Sequence, residues 1–379
     1  MFLNLDLSLG FGIWRLGFLA PALCFLLSGT TFADDELPRP ADKPRESYPG
    51  VDVSYETVVA PNRERLRAII TKPHDVKEKL PVIFVTGWLS CDSVEAPEGT
   101  TDAAGRVFQG LAKMPGYCTF RIDKPGVGDS EGDCAKSDFD TELAGYRAAF
   151  KSLERYDFID KDQVYILGLS NGGGFAPLVP ETETEQAQVR GYVVVGGWLK
   201  TWFEHMLEIE RRRFTLMGKS PAEVNERMKG VATLYHEWLI KSRPISDIVE
   251  VQPKLMDLWP EGTDRDHLYG RPLAFYQQLQ KLNLAAAWSR VKVPTLVLHG
   301  EYDWIMSRED HEMIARIVNA NKPGAARFME LPATGHTFQH YTSMREAFAG
   351  KQAPFDPATL QMLTDWFKDQ LQTVHEKKT

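Results

Sequence analysis

A serine flanked by glycines follows a short apolar segment near the middle of the chain. Residues 164–167 read VYIL, which is typical of a strand buried on both faces. Residues 168–172 then read GLSNG, the G-x-S-x-G spacing of a nucleophile elbow. Such a sharp turn needs neighbours without Cβ atoms. We therefore predict that Ser170 is a nucleophile; the alternative is an ordinary glycine-rich turn.

A serine nucleophile needs a histidine base and an acid that orients the base. Asp303 lies in the sequence HGEYD, just after an apolar segment, and His336 lies in ATGH after another. Parallel strands bring the loops at their carboxyl ends to one edge of the sheet. Ser170, Asp303 and His336 are therefore predicted to meet at that edge.

Each of these three residues has a competitor in the sequence. Asp310 and Glu301 are alternatives for the acid, and His340 is an alternative for the base. His299 ends its predicted strand, and we interpret it as structural. Ser130, in the sequence GDSEG, is an alternative nucleophile, but it lies well past its strand in a polar loop.

Acyl transfer also needs donors that stabilise the negative charge on the substrate oxygen. The backbone N–H of Asn171 follows the nucleophile at the start of a predicted helix, where the helix dipole favours negative charge. The second donor is predicted in residues 87–89, after the third strand, as the backbone N–H of Trp88. The alternative is that Trp88 only packs against the elbow.

The elements that position these residues alternate between strands and helices. A helix is predicted at 139–153 and a final one from Asp356-Pro357, while 157–161 is predicted as a turn. Alternation implies a mostly parallel sheet with covered faces. The eight strands are predicted at residues 51–59, 66–71, 81–86, 117–122, from 164 to the elbow, 191–195, 294–299 and 326–331.

From about residue 51 to its C-terminus, the sequence resembles the α/β-hydrolase superfamily. The segments GLSNGG, HGEYD and ATGH carry the resemblance, and they occur in the family's order of Ser, Asp and His. The stretch DKPGVGDSEG at 123–132 resembles a loop common in esterase-like and aminopeptidase-like members. One departure is TGW at 86–88, where many members have His-Gly.

The resemblance implies an α/β-hydrolase core at 51–198 and 289–379, with a helical cap at 199–288 inserted between the sixth and seventh strands. It also implies a serine hydrolase without metal or organic cofactor. In that chemistry Ser170 attacks a carbonyl, His336 transfers the proton and Asp303 holds the imidazole. Aromatic cap residues are candidates for an acyl pocket, although core packing explains some of them: Trp202, Phe203, Trp238, Trp259, Phe275 and Tyr276.

In the family's sheet the third and fourth strands are neighbours, which bears on the cysteines. Cys91 follows the third strand and Cys134 the fourth, so we predict a disulfide between them. Cys118 lies within a strand pattern and is predicted to be a buried free thiol. The cysteine spacing matches no zinc site.

The N-terminus predicts export. Arg15 precedes an apolar run at 16–27, followed by TFA at 31–33, which indicates a signal peptide at 1–33. The run is short for a membrane span. We expect a periplasmic or secreted protein with no stable membrane span; the alternative is an uncleaved anchor. Residues 34–50 are rich in Pro and charge, and they predict an extended linker.

Nothing in the composition suggests a nucleic-acid partner. The 379 residues are 43% hydrophobic, which suffices for one large α/β domain with an insertion. Lys and Arg total 44 against 52 Asp and Glu, a net charge of -8, and no basic cluster beyond 211–213 stands out. We therefore expect no nucleic-acid partner.

The leading functional hypothesis is a hydrolase of small carboxylic esters. The alternatives are a peptidase or amidase that uses the same triad on short peptides, and a non-catalytic binding protein on a hydrolase fold. An aminopeptidase needs carboxylates to hold the substrate ammonium, and the candidates are Glu204, Glu208 and Glu210. Because Arg212 follows Glu208 by four residues, an ordinary helix ion pair explains that charge, and we predict a preference for esters.

Overall fold

The computed structural model describes residues 37–260 and 263–376, so the predicted signal peptide lies outside the described residues. The strands are β1 (Val51–Val59), β2 (Arg65–Pro73), β3 (Leu80–Thr86), β4 (Cys118–Ile122), β5 (Ile159–Leu169), β6 (Val189–Val195), β7 (His267–Leu268), β8 (Arg271–Pro272), β9 (Thr295–Gly300) and β10 (Ala326–Leu331).

The strands are connected mainly by helices. The α-helices are α1 (Ala103–Ala112), α2 (Phe139–Ser152), α3 (Asn171–Phe175), α4 (Glu183–Gln188), α5 (Trp202–Leu216), α6 (Pro221–Tyr235), α7 (Ile245–Val251), α8 (Leu273–Gln280), α9 (Leu284–Trp288), α10 (Arg308–Asn321), α11 (Met344–Phe348) and α12 (Pro357–Glu376). Shorter 3₁₀ or π segments occupy Leu153–Arg155, Ala176–Leu178, His236–Ile240 and Pro253–Leu258. No helix among the described residues is long and apolar enough to cross a membrane.

Eight strands form one sheet in the order β1-β2-β4-β3-β5-β6-β9-β10. β2 is antiparallel to both β1 and β4, and the remaining neighbours are parallel. The predicted α/β fold with a mostly parallel eight-stranded sheet is therefore confirmed. The short hairpin of β7 and β8 was not predicted, because two-residue strands carry no periodic pattern.

The start of β5 differs from the prediction. The expected turn at 157–161 ends early, since Ile159 already pairs with Leu80 of β3. The register then shifts before the main pairing begins at Val164 with Val82. Exposed polar residues occupy the irregular part of the strand, which explains why the sequence there resembles a turn.

Both faces of the sheet are covered, as a central parallel sheet requires. In β3, Phe84 packs into the core on the side of α2 and the cap, whereas its neighbours Ile83 and Val85 pack on the other side. Val107 of α1 and Phe367 of α12 belong to that second core. Alternation along one strand thus places hydrophobic side chains in two layers.

Residues 37–50, expected to be an extended linker, lack helix but pack closely on the domain. Leu37 and Tyr48 are buried. Glu46 is also buried, and its carboxylate lies 2.6 Å from the guanidinium of Arg121 on β4. A buried ion pair with this spacing holds the segment against the sheet.

The predicted disulfide is confirmed. Cys91 and Cys134 are bonded, with their Cα atoms 6.0 Å apart, and they join the loops that follow β3 and β4. Cys118 is free and buried, as expected from its place in a strand. The disulfide closes a loop of 43 residues and thereby ties together two loops at the carboxyl edge of the sheet.

Candidate active site

Ser170 occupies a strained turn between β5 and α3, with φ 54° and ψ -123°. The flanking glycines are required by close contacts. A Cβ atom on Gly168 would lie 2.6 Å from the Cα of Gly173, and one on Gly172 would lie 2.3 Å from the carbonyl oxygen of Thr86. The G-x-S-x-G spacing is therefore explained by packing as well as by the turn.

The structure brings three predicted residues together at the carboxyl edge of the sheet. Nε2 of His336 lies 2.9 Å from Oγ of Ser170, and Nδ1 of His336 lies 2.8 Å from Oδ2 of Asp303. The backbone N–H groups of Ile305 and Met306 each donate to Oδ1 of Asp303 at 2.9 Å. Asp303 thus has partners for both oxygens and presents one of them to the imidazole.

The loops that carry Asp303 and His336 are joined by main-chain hydrogen bonds. The N–H of Tyr302 donates to the carbonyl of Thr334 at 2.9 Å. The Thr334 hydroxyl donates in turn to the carboxylate of Asp356, just before α12, at 2.8 Å. The spacing between acid and histidine therefore depends on this pairing of two loops.

Burial and charge act in opposite directions on this pair. Burial disfavours the carboxylate of Asp303, but the charge of His336 and its hydrogen bond prevail and lower the pKa of Asp303 to about 2. Burial likewise disfavours the imidazolium, yet the charge of Asp303 and the hydrogen bond raise the pKa of His336. Because Nδ1 faces the carboxylate, Nε2 is left to accept a proton from Ser170.

The competing acids and histidines have other partners. Asp310 accepts a hydrogen bond from the backbone N–H of Leu199 at 3.3 Å, and Glu301 accepts from a backbone N–H of the loop after β10. His340 is exposed. His299 is buried against the ring of His311, with centroids 4.8 Å apart, in keeping with a structural role.

Ser130, the competing nucleophile, is also engaged elsewhere. Its hydroxyl donates to the carbonyl of Asp123 at 2.9 Å and accepts from the backbone N–H of Arg67 on β2 at 2.8 Å. These two bonds attach the loop after β4 to a neighbouring strand. Ser130 therefore has a structural position, and no histidine among residues 37–260 and 263–376 forms a hydrogen bond with it.

The two predicted oxyanion donors lie on two segments that contact each other: Trp88 follows β3, and Asn171 follows Ser170 at the elbow. The N–H of Gly172 donates to the carbonyl of Gly87 at 2.9 Å, which fixes the peptide plane that contains the N–H of Trp88. The N–H of Asn171 is at the start of α3. Both residues and Ser170 line the same cavity, so the position of both predicted oxyanion donors is compatible with that role.

A cavity of about 690 Å³ opens over Ser170 and His336. Helix α5 of the cap forms one wall through Trp202, Met206 and Ile209. His205 of the same helix is buried in this wall, and burial lowers its pKa to about 3, which makes the imidazole neutral at pH 7. The carboxylates among the lining residues are Asp92 and Asp102, whose exposure shows that they lie at the mouth. The interior is therefore uncharged and largely apolar.

The predicted aromatic lining is mostly wrong. Of the six cap residues considered, Trp202 lines the cavity. The other five pack into the core that joins the cap to the sheet, where for example Trp238 contacts Trp259 and Tyr276 edge-on. Helical periodicity does not distinguish a cavity wall from a packed core, because both are apolar.

A second, smaller cavity of about 290 Å³ lies between β10 and α12. Its lining contains no serine, cysteine or histidine. No group of three or more His, Cys, Asp or Glu side chains within the described residues is arranged to hold a metal ion.

Two buried cations beside the site were not predicted from the sequence. Lys124 donates to the carbonyls of Trp88 and Ser90, and Arg271 of the cap donates to the carbonyl of Leu89. Lys124 belongs to the stretch DKPGVGDSEG, which carried the family resemblance, but its contact with another loop is not visible in the sequence.

Comparison with known proteins agrees with this architecture. The model of the Alpha/beta hydrolase family matches residues 82–351, which is more than half of the chain. The protein therefore belongs to the alpha/beta hydrolase family. No curated protein sequence matches the chain significantly.

Solved structures show the same fold at low identity. Est1E from Butyrivibrio proteoclasticus with ferulic acid bound has a TM-score of 0.51 at 15% identity, covering 84% of this chain and 99% of its own. The esterase Pf2001 of Pyrococcus furiosus has a TM-score of 0.50 at 13% identity, with coverages of 89% and 95%. An acylaminoacyl peptidase of Pyrococcus horikoshii has a TM-score of 0.51 at 12% identity, covering 84% of this chain and 41% of its own.

The coupling of His336 to Asp303 can be measured directly. We predict that the imidazole of His336 titrates above the ordinary value of about 6.5 in the wild type. Asp303→Asn should lower this pKa, because it removes the negative charge that favours the imidazolium. NMR titration of labelled histidines checks both shifts, with the exposed His74 and its partner Asp52 as the internal control. A His336 pKa that is unchanged in Asp303→Asn would contradict the assignment.

Proposed function

We propose that this protein is a serine hydrolase that cleaves carboxylic esters through an acyl-enzyme intermediate. The observation that carries the proposal is the hydrogen-bonded series Ser170–His336–Asp303 beneath a largely apolar cavity. A serine, a histidine and a buried carboxylate in this order are the requirements for nucleophilic acyl transfer. Membership of a hydrolase family supports the reaction class.

Each residue then has a role in the proposed mechanism. Oγ of Ser170 attacks the ester carbonyl while Nε2 of His336 takes its proton, and the carbonyl electrons move onto the oxygen. The N–H groups of Trp88 and Asn171 stabilise that oxyanion. The C–O bond then breaks, and His336 gives the proton to the departing alcohol. Water, activated by the same histidine, hydrolyses the acyl-enzyme and regenerates Ser170.

The cavity supports an uncharged acyl group. Most of its lining is apolar, the imidazole of His205 in its wall is neutral, and the carboxylates that line it, Asp92 and Asp102, are exposed. Burial of an unpaired charge in such a space is costly, whereas burial of apolar surface contributes about 25 cal/mol per Å². Esters of uncharged, medium-sized carboxylic acids are therefore the favoured substrate class.

An aminopeptidase activity has less support. Glu204 caps its own helix through Thr201, Glu208 lies within ion-pair distance of Lys200, and Glu210 lies within that distance of Arg213. None of the three glutamates lines the cavity. An amide with a blocked amino group is the second candidate, because an uncharged cavity and the same three residues suit it as well.

Export is also proposed, and the disulfide supports it. Disulfides persist in oxidising compartments such as the periplasm and are rare in the cytosol. The bond between Cys91 and Cys134 lies in the loops beside the candidate site. A periplasmic or secreted location is therefore consistent with both the bond and the N-terminal sequence.

We predict that Ser170→Ala abolishes ester hydrolysis, with a loss of kcat on the order of 10⁴ to 10⁶, because the nucleophile is removed. Turnover of p-nitrophenyl butyrate measures the effect. Ser130→Ala is the matched control, and its kcat should stay near that of the wild type because this serine contacts only structural main-chain groups. Activity of Ser170→Ala within about tenfold of the wild type would reject the proposal.

We also predict that Glu204→Gln and Glu208→Gln change neither ester nor anilide hydrolysis, because neither carboxylate lines the cavity. The experiment compares kcat/KM for short acyl p-nitrophenyl esters and aminoacyl p-nitroanilides in wild type and both variants. Activated esters are intrinsically more reactive, so the variants are more informative than the ratio. An anilide activity that collapses in either variant, with ester activity intact, would point to an aminopeptidase instead.

A further inference from the structure

Three successive carbonyl groups beside the candidate site accept hydrogen bonds from buried cations. The carbonyls of Trp88 and Ser90 accept from the ammonium of Lys124, the first at 2.7 Å. The carbonyl of Leu89 accepts from Nε of Arg271 at 2.8 Å. The loop formed by residues 87–90, which carries the proposed oxyanion donor, is thus held from two different parts of the fold.

Lys124 is unusual because it is buried without a counter-ion. The residue is 2% exposed. The charges of Glu142, Asp92 and Asp123 act on it from a distance, but none of the ion pairs among the described residues includes its ammonium. Burial lowers its pKa to about 8. A buried ammonium is costly unless its donors are satisfied, and here the carbonyls of loop 87–90 satisfy two of them.

Two of the hydrogen bonds to loop 87–90 hold the peptide groups on either side of Trp88. The peptide plane before Trp88 is anchored by Gly172 through the carbonyl of Gly87, and the plane after Trp88 is anchored by Lys124. Because peptide groups are planar, the N–H of Trp88 lies in the first of these planes. Holding the second plane as well restricts rotation about φ and ψ of Trp88, and this limits reorientation of the first plane. Gly172 therefore holds the N–H of Trp88 directly, and Lys124 holds it indirectly through the next peptide group.

Arg271 gives the same loop a connection to the cap. It follows the turn between β7 and β8, is fully buried, and forms an ion pair with Glu142 of α2. A further contact of its guanidinium reaches the carbonyl of Cys134, one of the two disulfide cysteines, at 3.4 Å. Cap, disulfide and core thus meet at loop 87–90.

We propose that Lys124 is a positioning residue that orients the backbone N–H of Trp88 toward the substrate oxyanion, with Arg271 supporting the same loop from the cap. The role rests on the proposed ester hydrolysis, and it predicts a selective effect on the transition state. An oxyanion donor is used when negative charge develops and contributes little to binding of the uncharged ground state.

The test substitutes Lys124→Met and measures three quantities. These are kcat/KM for p-nitrophenyl butyrate, Ki for an alkyl trifluoromethyl ketone that forms an oxyanion with serine, and Ki for the matching alkyl alcohol, which forms none. Loss of a whole oxyanion donor costs about 10² to 10³ in rate. If the donor is misoriented, kcat/KM for the ester should fall and Ki for the ketone should rise, both by about 10- to 100-fold. The Ki of the alcohol should change by less than about threefold.

Arg67→Met is the control, since it removes another buried cation whose main-chain contacts, the carbonyls of Leu37 and Glu56, lie outside loop 87–90; unlike Lys124, it also lies 3.4 Å from a carboxylate, that of Asp129. This variant should lower the Tm, but the ratio of the Ki for the ketone to the Ki for the alcohol should stay as in the wild type. If Lys124→Met does not fold, Lys124→Gln serves instead, because its side chain is polar but too short to reach both carbonyls.

The possible failures are distinguishable. If Lys124→Met weakens catalysis and the binding of both inhibitors equally, or changes none of the three quantities, the proposed role of Lys124 is rejected. The proposal of ester hydrolysis is unaffected by either result. An absence of Ser170-dependent hydrolysis in the wild type would reject the proposed function, and with it this role.

Discussion

The contact between the elbow and the end of β3 is the constraint on which the rest of the site depends. The N–H of Gly172 donates to the carbonyl of Gly87, and the hydroxyl of Thr86 donates to the carbonyl of Gly172 at 3.0 Å. Two backbones can approach this closely only where Cβ atoms are absent. Because β3 and β5 are neighbours in the sheet, this contact sets the serine beside loop 87–90, and the strained conformation of Ser170 is maintained by packing on both sides.

The remaining parts of the site reach Ser170 from the other half of the sheet and from the cap. β9 and β10 deliver Asp303 and His336 on two loops that hydrogen-bond to each other, so the acid and the histidine keep their separation. The cap contributes α5 as a cavity wall and Arg271 as a support for loop 87–90. The geometry is thus assembled from three regions that are distant in sequence, which the parallel sheet brings to one edge.

Local patterns were sufficient to predict the eight strands of the main sheet and the three side chains that meet at its edge. Apolar strands and G-x-S-x-G spacing are properties of neighbouring residues, so the elbow and the strands of the main sheet could be predicted from the sequence. The disulfide was predicted from the strand order that the family resemblance implies. The start of β5 and the cavity lining could not. Whether a tryptophan such as Trp238 lines a cavity or fills a core depends on non-local packing, and the burial of Lys124 depends on a loop 36 residues earlier in the chain.

The central claim is that the environment of Ser170 activates it as a nucleophile. A fluorophosphonate probe tests this most directly, because the probe forms a stable bond only with an activated serine and needs no knowledge of the substrate. Peptide mapping of the labelled protein should find the probe on Ser170, and labelling should disappear in His336→Ala and in unfolded protein. Absence of labelling in the folded wild type, or labelling at a different residue, would contradict the account.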